Sequence, residues 1–414
     1  MPQNSNVLID QLFRKEYGKL VSTLTRLFGT AHIQLAEDVV QDALITALNK
    51  WSIEGVPDNP SAWLIQVAKR KALNELNRNQ MKESHNQFLT SSIDSEEKVS
   101  SVFMEDEIED SQLRMIFTCC HPSLNSESQI ALTLKTLCGF GVQEVANAFL
   151  TSKATINKRL FRAKSTLRKS NAAFQIPSGA DLHPRLQNVC TTLYLLFNEG
   201  YNASSGDSVI QKTFCLEAMR LLKLLENQFN EVSQLKALLA LMCFHASRFE
   251  ARIDAHGGII IFEDQDRSLW IKDLIQKGMQ YLSKSMQEQK LSAYHIEANI
   301  AGLHCMADNF DDTDWQSIYD NYILLEKFKP NPIIKLNLAI IQSKLIGLGP
   351  SLNLLKELEK VDALKSYHLL PATQGIFSYK LNRKGEAKVF LEKALELSPS
   401  NREREYILSK LENC

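Results

Sequence analysis

The sequence contains no long apolar run and no large excess of charge of either sign. No segment approaches the roughly 18 consecutive apolar residues of a membrane-spanning helix, and the N-terminus lacks the basic start and apolar core of a secretion signal. Lysine and arginine number 47, aspartate and glutamate 48, and the net charge is −1. These absences predict a soluble, cytoplasmic protein with no membrane contact. Any charge that binds nucleic acid must then be local.

Metal-binding and catalytic patterns are missing as well. The eight cysteines include no C-x-x-C pair, and the run Cys119-Cys120-His121 has no second pair of ligands beside it. Most cysteines lie within apolar helical patterns, which predicts reduced, buried thiols instead of disulfides. No nucleophile–base pair and no phosphate-binding loop is evident. We therefore expect no metal, no cofactor and no catalytic residue, and a protein that is not an enzyme.

Alternating strand patterns are also absent, whereas helical apolar spacing recurs along the chain. The expected fold class is all-α, and a length of 414 residues predicts two or three domains. Near the C-terminus, small residues occupy the close-packing positions of one tetratricopeptide helix pair: Gly375, Ala387, Ala394 and Pro399.

The clearest positive feature is the stretch from Gly141 to Ser170. Its first half has the apolar spacing of one helix, Leu150 to Ser152 interrupts the pattern, and Thr151 or Ser152 can cap a second helix. The second helix has an apolar stripe, and from Lys153 to Lys169 it contains seven basic residues and no acidic one. This is the arrangement of a helix-turn-helix that enters the major groove of DNA. A basic face that contacts only solvent is the alternative.

Two helices in the first 80 residues carry charge of opposite sign. Residues 35–51 have an acidic side and an apolar side, the latter including Leu44 and Leu48. Ser61 can cap the next helix, residues 62–78, in which Trp63 accompanies a basic cluster. Such a mixture suits melted DNA, because cations neutralise phosphates and rings stack on bases. A tryptophan that belongs only to the core is the alternative.

The segment between these helices and the helix-turn-helix has a different composition. Residues 81–110 are polar and acidic, with Lys82 and Lys98 as the only basic residues. This composition predicts a flexible acidic linker. Helical patterns resume at residue 111, and they continue after a break at Pro177 to Gly179.

The order of these modules is more specific than any one of them. The informative stretches are AEDVVQDA (36–43), DNPSAWL (58–64), VAKRKALN (67–74), LRMIFTCCHP (113–122) and the helix-turn-helix. Through them the first 170 residues resemble an extracytoplasmic-function (group 4) RNA polymerase sigma factor of the sigma-70 type. The rest resembles the C-terminal extension of one subfamily of these factors, through stretches such as LYLLFNEGY (193–201) and FEDQDRSLW (262–270).

The resemblance implies a domain order. Sigma region 2 would occupy residues 1–80, the linker 81–110, sigma region 4 residues 111–171, and a helical, tetratricopeptide-like regulatory domain residues 180–414. A chain that ends after about residue 171 would then keep folded regions 2 and 4.

The resemblance also implies partners and roles, with catalysis left to the polymerase. The acidic helix would dock on the clamp helices of core RNA polymerase through Glu37, Asp38, Gln41 and Asp42. The −10 element of promoter DNA would meet Trp63, Lys69, Arg70, Lys71, Asn74 and Arg78. The −35 element would be read by Lys153, Thr155, Lys158, Arg159 and Arg162.

Alternatives remain for the chain and for its C-terminal half. A stand-alone helix-turn-helix regulator with a C-terminal sensor or protein-interaction domain explains residues 111–414 but leaves the two N-terminal helices without a role. We expect the C-terminal domain to control the activity of its own chain. An effector or regulatory protein would also bind there. Its polar cluster is either a buried network that fixes helix packing, which we favour, or the lining of an effector pocket. The cluster comprises His245, Arg248, Glu250, Arg252, Asp254, His256, Glu263, Asp264, Asp266 and Arg267.

Overall fold

The computed structural model describes residues 2–83, 97–149, 151–202, 208–254, 260–287, 290–398 and 401–412. Within these ranges the regular elements are helices and no strand is formed, which confirms the all-α expectation. None of these helices combines the length and apolarity that crossing a bilayer requires. The chain divides into two units. One consists of Met1–Glu199 with Leu216–Leu224, and the other of Gly200–Cys215 with Leu225–Cys414.

The first unit is organised around its N-terminal helix, α1, which packs against α2, α3, α5 and α6. The middle of helix α10, Leu216–Leu224, belongs to the first unit. The helices are α1 (Pro2–Phe28), α2 (Ile33–Glu54), α3 (Pro60–Glu83), α4 (residues 97–102), α5 (Glu105–Cys119), α6 (Ser126–Thr136), α7 (Val142–Ala148), α8 (Lys153–Lys169), α9 (Leu182–Asn202) and α10 (Ser208–Gln228).

The starts of α8 and α3 can be compared with the caps that the sequence predicts. The hydroxyl of Ser152 accepts a hydrogen bond from the backbone N–H of Thr155 at 3.1 Å, so the predicted cap of α8 is confirmed. At the start of α3 the cap is Asn59, whose side-chain oxygen accepts from the N–H of Ala62 at 3.0 Å. The predicted cap Ser61 already lies inside that helix.

Part of the segment expected to be a flexible linker is folded. Residues 84–96 lie outside the described ranges, but α4 and α5 cover most of residues 97–110. Phe103 is buried, and Arg26 of α1 donates to Asp110 at 2.8 Å and to Glu107. The acidic residues at the start of α5 therefore attach that helix to α1, and the predicted flexibility does not hold for residues 97–110.

Helix α1 passes very close to the end of α6. A Cβ atom added at Gly18 would lie 1.9 Å from the carbonyl oxygen of Leu137, so only glycine fits there. Gly139, with φ at 71°, continues the same contact against Arg14 and Tyr17. The backbone of α1 is thus in direct contact with the backbone that follows α6, far away in sequence.

Helix α9 belongs to the first unit as far as Glu199. Arg185 donates to the carbonyl oxygen of Phe117 at 2.6 Å, and Asn188 donates to that of Cys120 at 2.5 Å. These bonds satisfy carbonyl groups at the end of α5, where the helix itself provides no partner. The buried apolar residues of α9 are Leu186, Val189, Cys190, Leu193, Leu196 and Phe197. The unit therefore continues past residue 171, the implied end of sigma region 4.

The second unit is a series of helices in which each packs on its neighbours in sequence. In α17, a Cβ atom at Gly375 would lie 2.7 Å from Leu391, and Ala387 and Ala394 of α18 are fully buried. Three of the predicted small-residue positions thus lie at one helix–helix contact, and Pro399 lies outside the described residues. The tetratricopeptide assignment stays a prediction. The helices are α11 (Ser233–Ala246), α12 (Lys272–Ser285), α13 (Ala293–Met306), α14 (Trp315–Phe328), α15 (Pro332–Leu345), α16 (Leu348–Leu358), α17 (Leu369–Lys380), α18 (Lys384–Leu397) and α19 (Asn401–Leu411).

A chain that ends after Asn171 is expected to be less stable than one that ends after Gln228. The shorter chain loses α9, and each large apolar side chain removed from a buried contact costs about 1.5–3 kcal/mol. We expect its melting temperature, followed by circular dichroism, to be lower by about 10 °C or more. Equal melting temperatures would contradict the assignment of α9 to the first unit.

Candidate nucleic-acid interface

The two helices of the expected helix-turn-helix, α7 and α8, lie against each other, and α8 also packs on α6. The backbone N–H of Thr151 donates to the carbonyl oxygen of Ala146 at 2.9 Å and closes the turn that leads into α8. The predicted apolar stripe of α8 is buried and directs the basic side outward. It consists of Ile156, Leu160, Ala163 and Leu167.

The five residues expected to read the −35 element differ in solvent exposure and in their contacts with other protein groups. Lys153, Thr155, Lys158 and Arg162 are exposed on α8. Arg159 is half-buried, because it donates to Glu127 of α6 at 2.5 Å and lies over the ring of Phe149, 5.4 Å from the centroid. The exposed side chains can contact DNA directly, whereas Arg159 is held by protein groups.

Helix α3 contains all six residues expected at the −10 element. Helical spacing places Trp63, Arg70, Asn74 and Arg78 on one side of the helix, and the last three are exposed. Trp63 is half-buried and packs edge-on against Trp51, with ring centroids 5.4 Å apart. It therefore contributes to the core and still has an accessible part.

The two remaining residues of that set are less exposed, and one of them, Lys69, lies off this side. The ammonium group of Lys69 lies 5.5 Å from the ring centroid of Phe103, which orients it toward the region of α4 and α5. Lys71 is half-buried on the flank of α3. Arg78 has a nearby carboxylate, Glu75, at 2.9 Å. The structure thus brings together four of the six expected residues and separates Lys69 from them.

The acidic helix α2 exposes three of its four expected polymerase contacts: Asp38, Gln41 and Asp42. Glu37 is different, because its side chain is only 2% exposed. One of its carboxylate oxygens accepts from the ammonium group of Lys164 of α8 at 2.6 Å. Glu37 can therefore reach another protein only if α8 moves away.

Two apolar residues of α2 were missed from sequence. Ile45 is 54% exposed and Leu48 is 50% exposed, although the apolar pattern assigned Leu48 to the buried side. Helical spacing places Ile45 next to Gln41 and Asp42, which is the signal that could have found it. An apolar centre with a polar, charged rim is the usual composition of a protein-binding surface.

A cleft of about 370 Å³ separates part of α2 from α8. Both expected functional helices contribute to its walls, through Glu37 and Gln41 on one side and Phe161 and Lys164 on the other. Lys135 of α6 also lines it, and burial lowers the pKa of that ammonium group. The α2–α8 contact is therefore incompletely packed next to its ion pair.

Comparisons with known proteins agree with this arrangement of surfaces. Residues 12–81 match sigma-70 region 2, and residues 114–167 match sigma-70 region 4. A protein of Rhizobium meliloti (strain 1021), described only as uncharacterized, is 34% identical over 386 residues, which cover 92% of this chain and 90% of that protein. The chain thus carries regions 2 and 4 of the sigma-70 family. Residues 185–286 match a further family, one of unknown function (DUF6596).

The matched ranges assign individual helices to the two sigma regions. Helix α2 and most of α3 lie within sigma region 2, and α6 to α8 lie within sigma region 4, in the order that the resemblance implied. The protein is therefore a DNA-binding sigma factor that acts in transcription initiation with RNA polymerase. Helix α9 opens the DUF6596 match, although it packs on region 4.

The Cys-Cys-His run of sigma region 4 is part of its core. Cys119 and Cys120 are fully buried, and burial raises the pKa of the Cys120 thiol to about 11. A metal would need the thiolate, which this environment disfavours. His121 instead contacts the hydroxyl of Ser123 at 2.7 Å. Six of the seven described cysteines are buried, as the apolar patterns predicted.

The polar cluster of the second unit lies within the DUF6596 match, and its arginines contact aromatic rings. Arg267 also donates to the carbonyl oxygen of His304 at 2.8 Å, and Arg252 to that of Tyr201. Stacked guanidinium groups with carbonyl acceptors connect neighbouring segments of the unit. The distances to ring centroids are 4.5 Å for Arg248 over Phe262, 3.7 Å for Arg252 over Tyr201 and 4.7 Å for Arg267 over Trp270.

Acidic members of the cluster pair with lysines outside it. Glu250 contacts Lys212 at 2.8 Å, and Glu263 lies between Lys344 at 3.8 Å and Lys380 at 3.2 Å. His256 lies outside the described residues. These contacts support the interpretation of the cluster as a network that fixes helix packing, although these two carboxylates pair with lysines outside the cluster.

Acid is expected to destabilise the protein through two histidines of the second unit. Burial and the neighbouring arginines lower the pKa of His245 and of His304 to about 3. The unfolded chain takes up these protons near pH 6.5, so the free energy of unfolding falls as the pH drops from about 6.5 to about 3. His304→Phe keeps a ring against Phe262 and removes one of these protons. In urea unfolding, the variant should lose about 1.4 kcal/mol less than the wild type per pH unit in this window.

The control for this experiment is His183→Gln, at an exposed position of α9. It should leave the pH dependence as in the wild type. An identical pH dependence for His304→Phe and the wild type would contradict the buried, neutral state of His304.

Proposed function

We propose that the protein is an alternative sigma factor of the extracytoplasmic-function type, which directs core RNA polymerase to promoters with particular −10 and −35 elements. One observation carries the proposal: a single folded unit exposes an acidic, partly apolar surface on α2 and basic surfaces on α3 and α8. These surfaces suit a protein partner, melted DNA and duplex DNA respectively. The protein itself supplies no covalent chemistry.

Helix α2 provides the contact with the polymerase clamp helices. Ile45 and Leu48 form the apolar centre, and Asp38, Gln41 and Asp42 form the rim. Burying the two apolar side chains supplies affinity, and the carboxylates orient a basic partner surface.

Helix α3 holds the opened −10 element. Arg70 and Arg78 neutralise phosphates, Asn74 lies between them to contact a base edge, and the accessible part of Trp63 offers a stacking surface. Because Trp63 rests on Trp51, its orientation is set before DNA binds.

Helix α8 reads the −35 element in the major groove. Its capped N-terminus carries Lys153 and Thr155, and Lys158 and Arg162 follow on the exposed side. Residues near the helix start reach base edges, and later cations hold phosphates. Arg159 positions the helix through Glu127 more than it contacts DNA.

The C-terminal domain controls activity in this proposal and is the place where an effector or regulatory protein would act. The support is that α9, the first helix of the DUF6596 match, is bonded to α5 of the first unit. A conformational change in α9 would alter its hydrogen bonds to α5 and so affect region 4.

Substitution of Arg162 tests the −35 assignment. Arg162→Ala removes one exposed cation from α8, so promoter-specific run-off transcription with core polymerase should fall and the salt slope of promoter binding should drop by about 1. Lys272→Ala, an exposed cation of α12, serves as the control. Unchanged transcription and slope for Arg162→Ala would contradict its placement at DNA. Tight binding of promoter duplex without polymerase would favour the stand-alone regulator instead.

Substitution of Ile45 tests the polymerase surface. Ile45→Ser should weaken binding to core polymerase by about fivefold or more, because a central apolar contact of an interface typically contributes over 1 kcal/mol. Val389→Ser is the matched control, since Val389 is 64% exposed on α18. Binding can be measured by fluorescence anisotropy of labelled protein. An equal affinity of Ile45→Ser and wild type for core polymerase would remove Ile45 from the interface.

A further inference from the structure

The cleft beside α2 and α8 is lined by an unbalanced set of charges. Its walls include three basic residues, Lys135, Lys164 and Arg168, and one acidic residue, Glu37. The ammonium group of Lys164 lies 2.6 Å from a carboxylate oxygen of Glu37, so these two charges offset each other. The other two cations leave the cleft with a positive charge, which attracts anions from solution.

Lys135 of α6 is a partly buried cation with no carboxylate bound to it. Its ammonium group lies 5.1 Å from the ring centroid of Tyr17, and it has no ion-pair or hydrogen-bond partner among the described residues. Arg168 of α8 is exposed, and its side chain likewise lacks a partner within the described part of the chain. A cation that has lost part of its water and has no acceptor is stabilised when an anionic oxygen binds it.

Glu37 supplies a hydrogen-bond acceptor at the same cleft. One of its carboxylate oxygens accepts from Lys164, but the other, Oε1, is buried and has no hydrogen-bond partner in the described ranges. The side chain as a whole is only 2% exposed. A buried acceptor without a donor is energetically costly, and an N–H or O–H group of a ligand would remove that cost.

Phe161 gives the cleft an aromatic wall. It is 73% exposed on α8, whereas Ile156, Leu160 and Leu167 of the same helix are buried. A flat ring stacks on an exposed aromatic side chain because both surfaces then leave water. The cleft volume of about 370 Å³ lies within the ~300–1,000 Å³ that is typical of small-molecule sites. The cleft therefore combines room for a ligand with charge, an acceptor and a stacking surface.

We propose that this cleft binds a small organic anion that carries a flat ring and a hydrogen-bond donor, which is the chemistry of a nucleoside monophosphate. The anionic group pairs with Lys135 and Arg168, the donor reaches Oε1 of Glu37, and the ring lies against Phe161. The site lies outside the segment that matches DUF6596. The inference goes beyond the proposed function, because ligand binding by the free protein requires neither polymerase nor promoter DNA.

Equilibrium dialysis of the full chain with three probes, each quantified by mass spectrometry, tests the site. Adenosine 5′-monophosphate (AMP) carries all three groups, adenosine lacks the phosphate, and ribose 5-phosphate lacks the ring. We expect AMP to bind and each partial probe to bind about tenfold more weakly, because a charged hydrogen bond or a stacked ring typically contributes that much. Equal affinities for AMP and ribose 5-phosphate would mean that basic residues hold a phosphate group alone, and would overturn the proposal.

Two variants locate the binding. Phe161→Ala removes the stacking surface and should weaken AMP binding by about tenfold. Its matched control is Phe328→Ala on α14, because Phe328 is 47% exposed and does not line the cleft. Lys135→Gln removes the partly buried cation, so it should weaken AMP binding by about tenfold and leave adenosine binding unchanged. Lys169→Gln, at an exposed position of α8 away from the cleft walls, controls for the loss of a positive charge.

The remaining outcomes also decide the matter. If Phe161→Ala and Lys135→Gln bind AMP as tightly as the wild type, the ligand is held elsewhere and the proposal is wrong. If no probe binds at millimolar concentration, the cleft holds only water, and the proposal is equally wrong. Should Lys135→Gln melt below the temperature of the experiment, Phe161→Ala decides, because its exposed ring contributes little to the folded core. Polymerase binding is measured separately, so a failure of the proposed function leaves these results intact.

Discussion

The close approach of α1 to the end of α6 is the contact on which the first unit depends. Gly18 leaves room for the carbonyl oxygen of Leu137, and Gly139 adopts the positive φ that carries the chain past α1. From this crossing α1 also reaches α2, α3 and α5. One helix thereby belongs to the cores of both sigma regions, and every exposed surface of the unit is positioned relative to it.

Positive and negative charges are segregated onto different helices of the first unit, although the net charge of the chain is close to zero. A net charge of −1 describes the chain, yet α8 carries only cations and the exposed side of α2 carries Asp38 and Asp42. Because neighbouring helices carry opposite charges, they can bind each other as well as external partners. The ion pair of Lys164 with Glu37 is an example. Binding to external partners and the contact between α2 and α8 within the chain thus depend on the same charges.

The second unit uses its charges differently. Its arginines stack on aromatic rings and donate to carbonyl oxygens, and His245 and His304 are kept neutral by burial. These contacts connect neighbouring segments within the second unit. Helix α9, where the DUF6596 match begins, packs on region 4 within the first unit, because Arg185 and Asn188 complete the end of α5.

The sequence by itself determined the all-α class, the order of the two sigma regions, a cap at Thr151 or Ser152 and the basic exposed side of α8. Helical period and capping act over a few residues, so a local pattern suffices to recognise them. Only the tertiary structure decided that Glu37 is buried while Asp38 is not, that Leu48 is exposed, and that α9 completes the first unit. Each of these depends on which distant segment covers a helix face. The pairing of Lys164 with Glu37, 127 residues apart, is invisible to any periodicity.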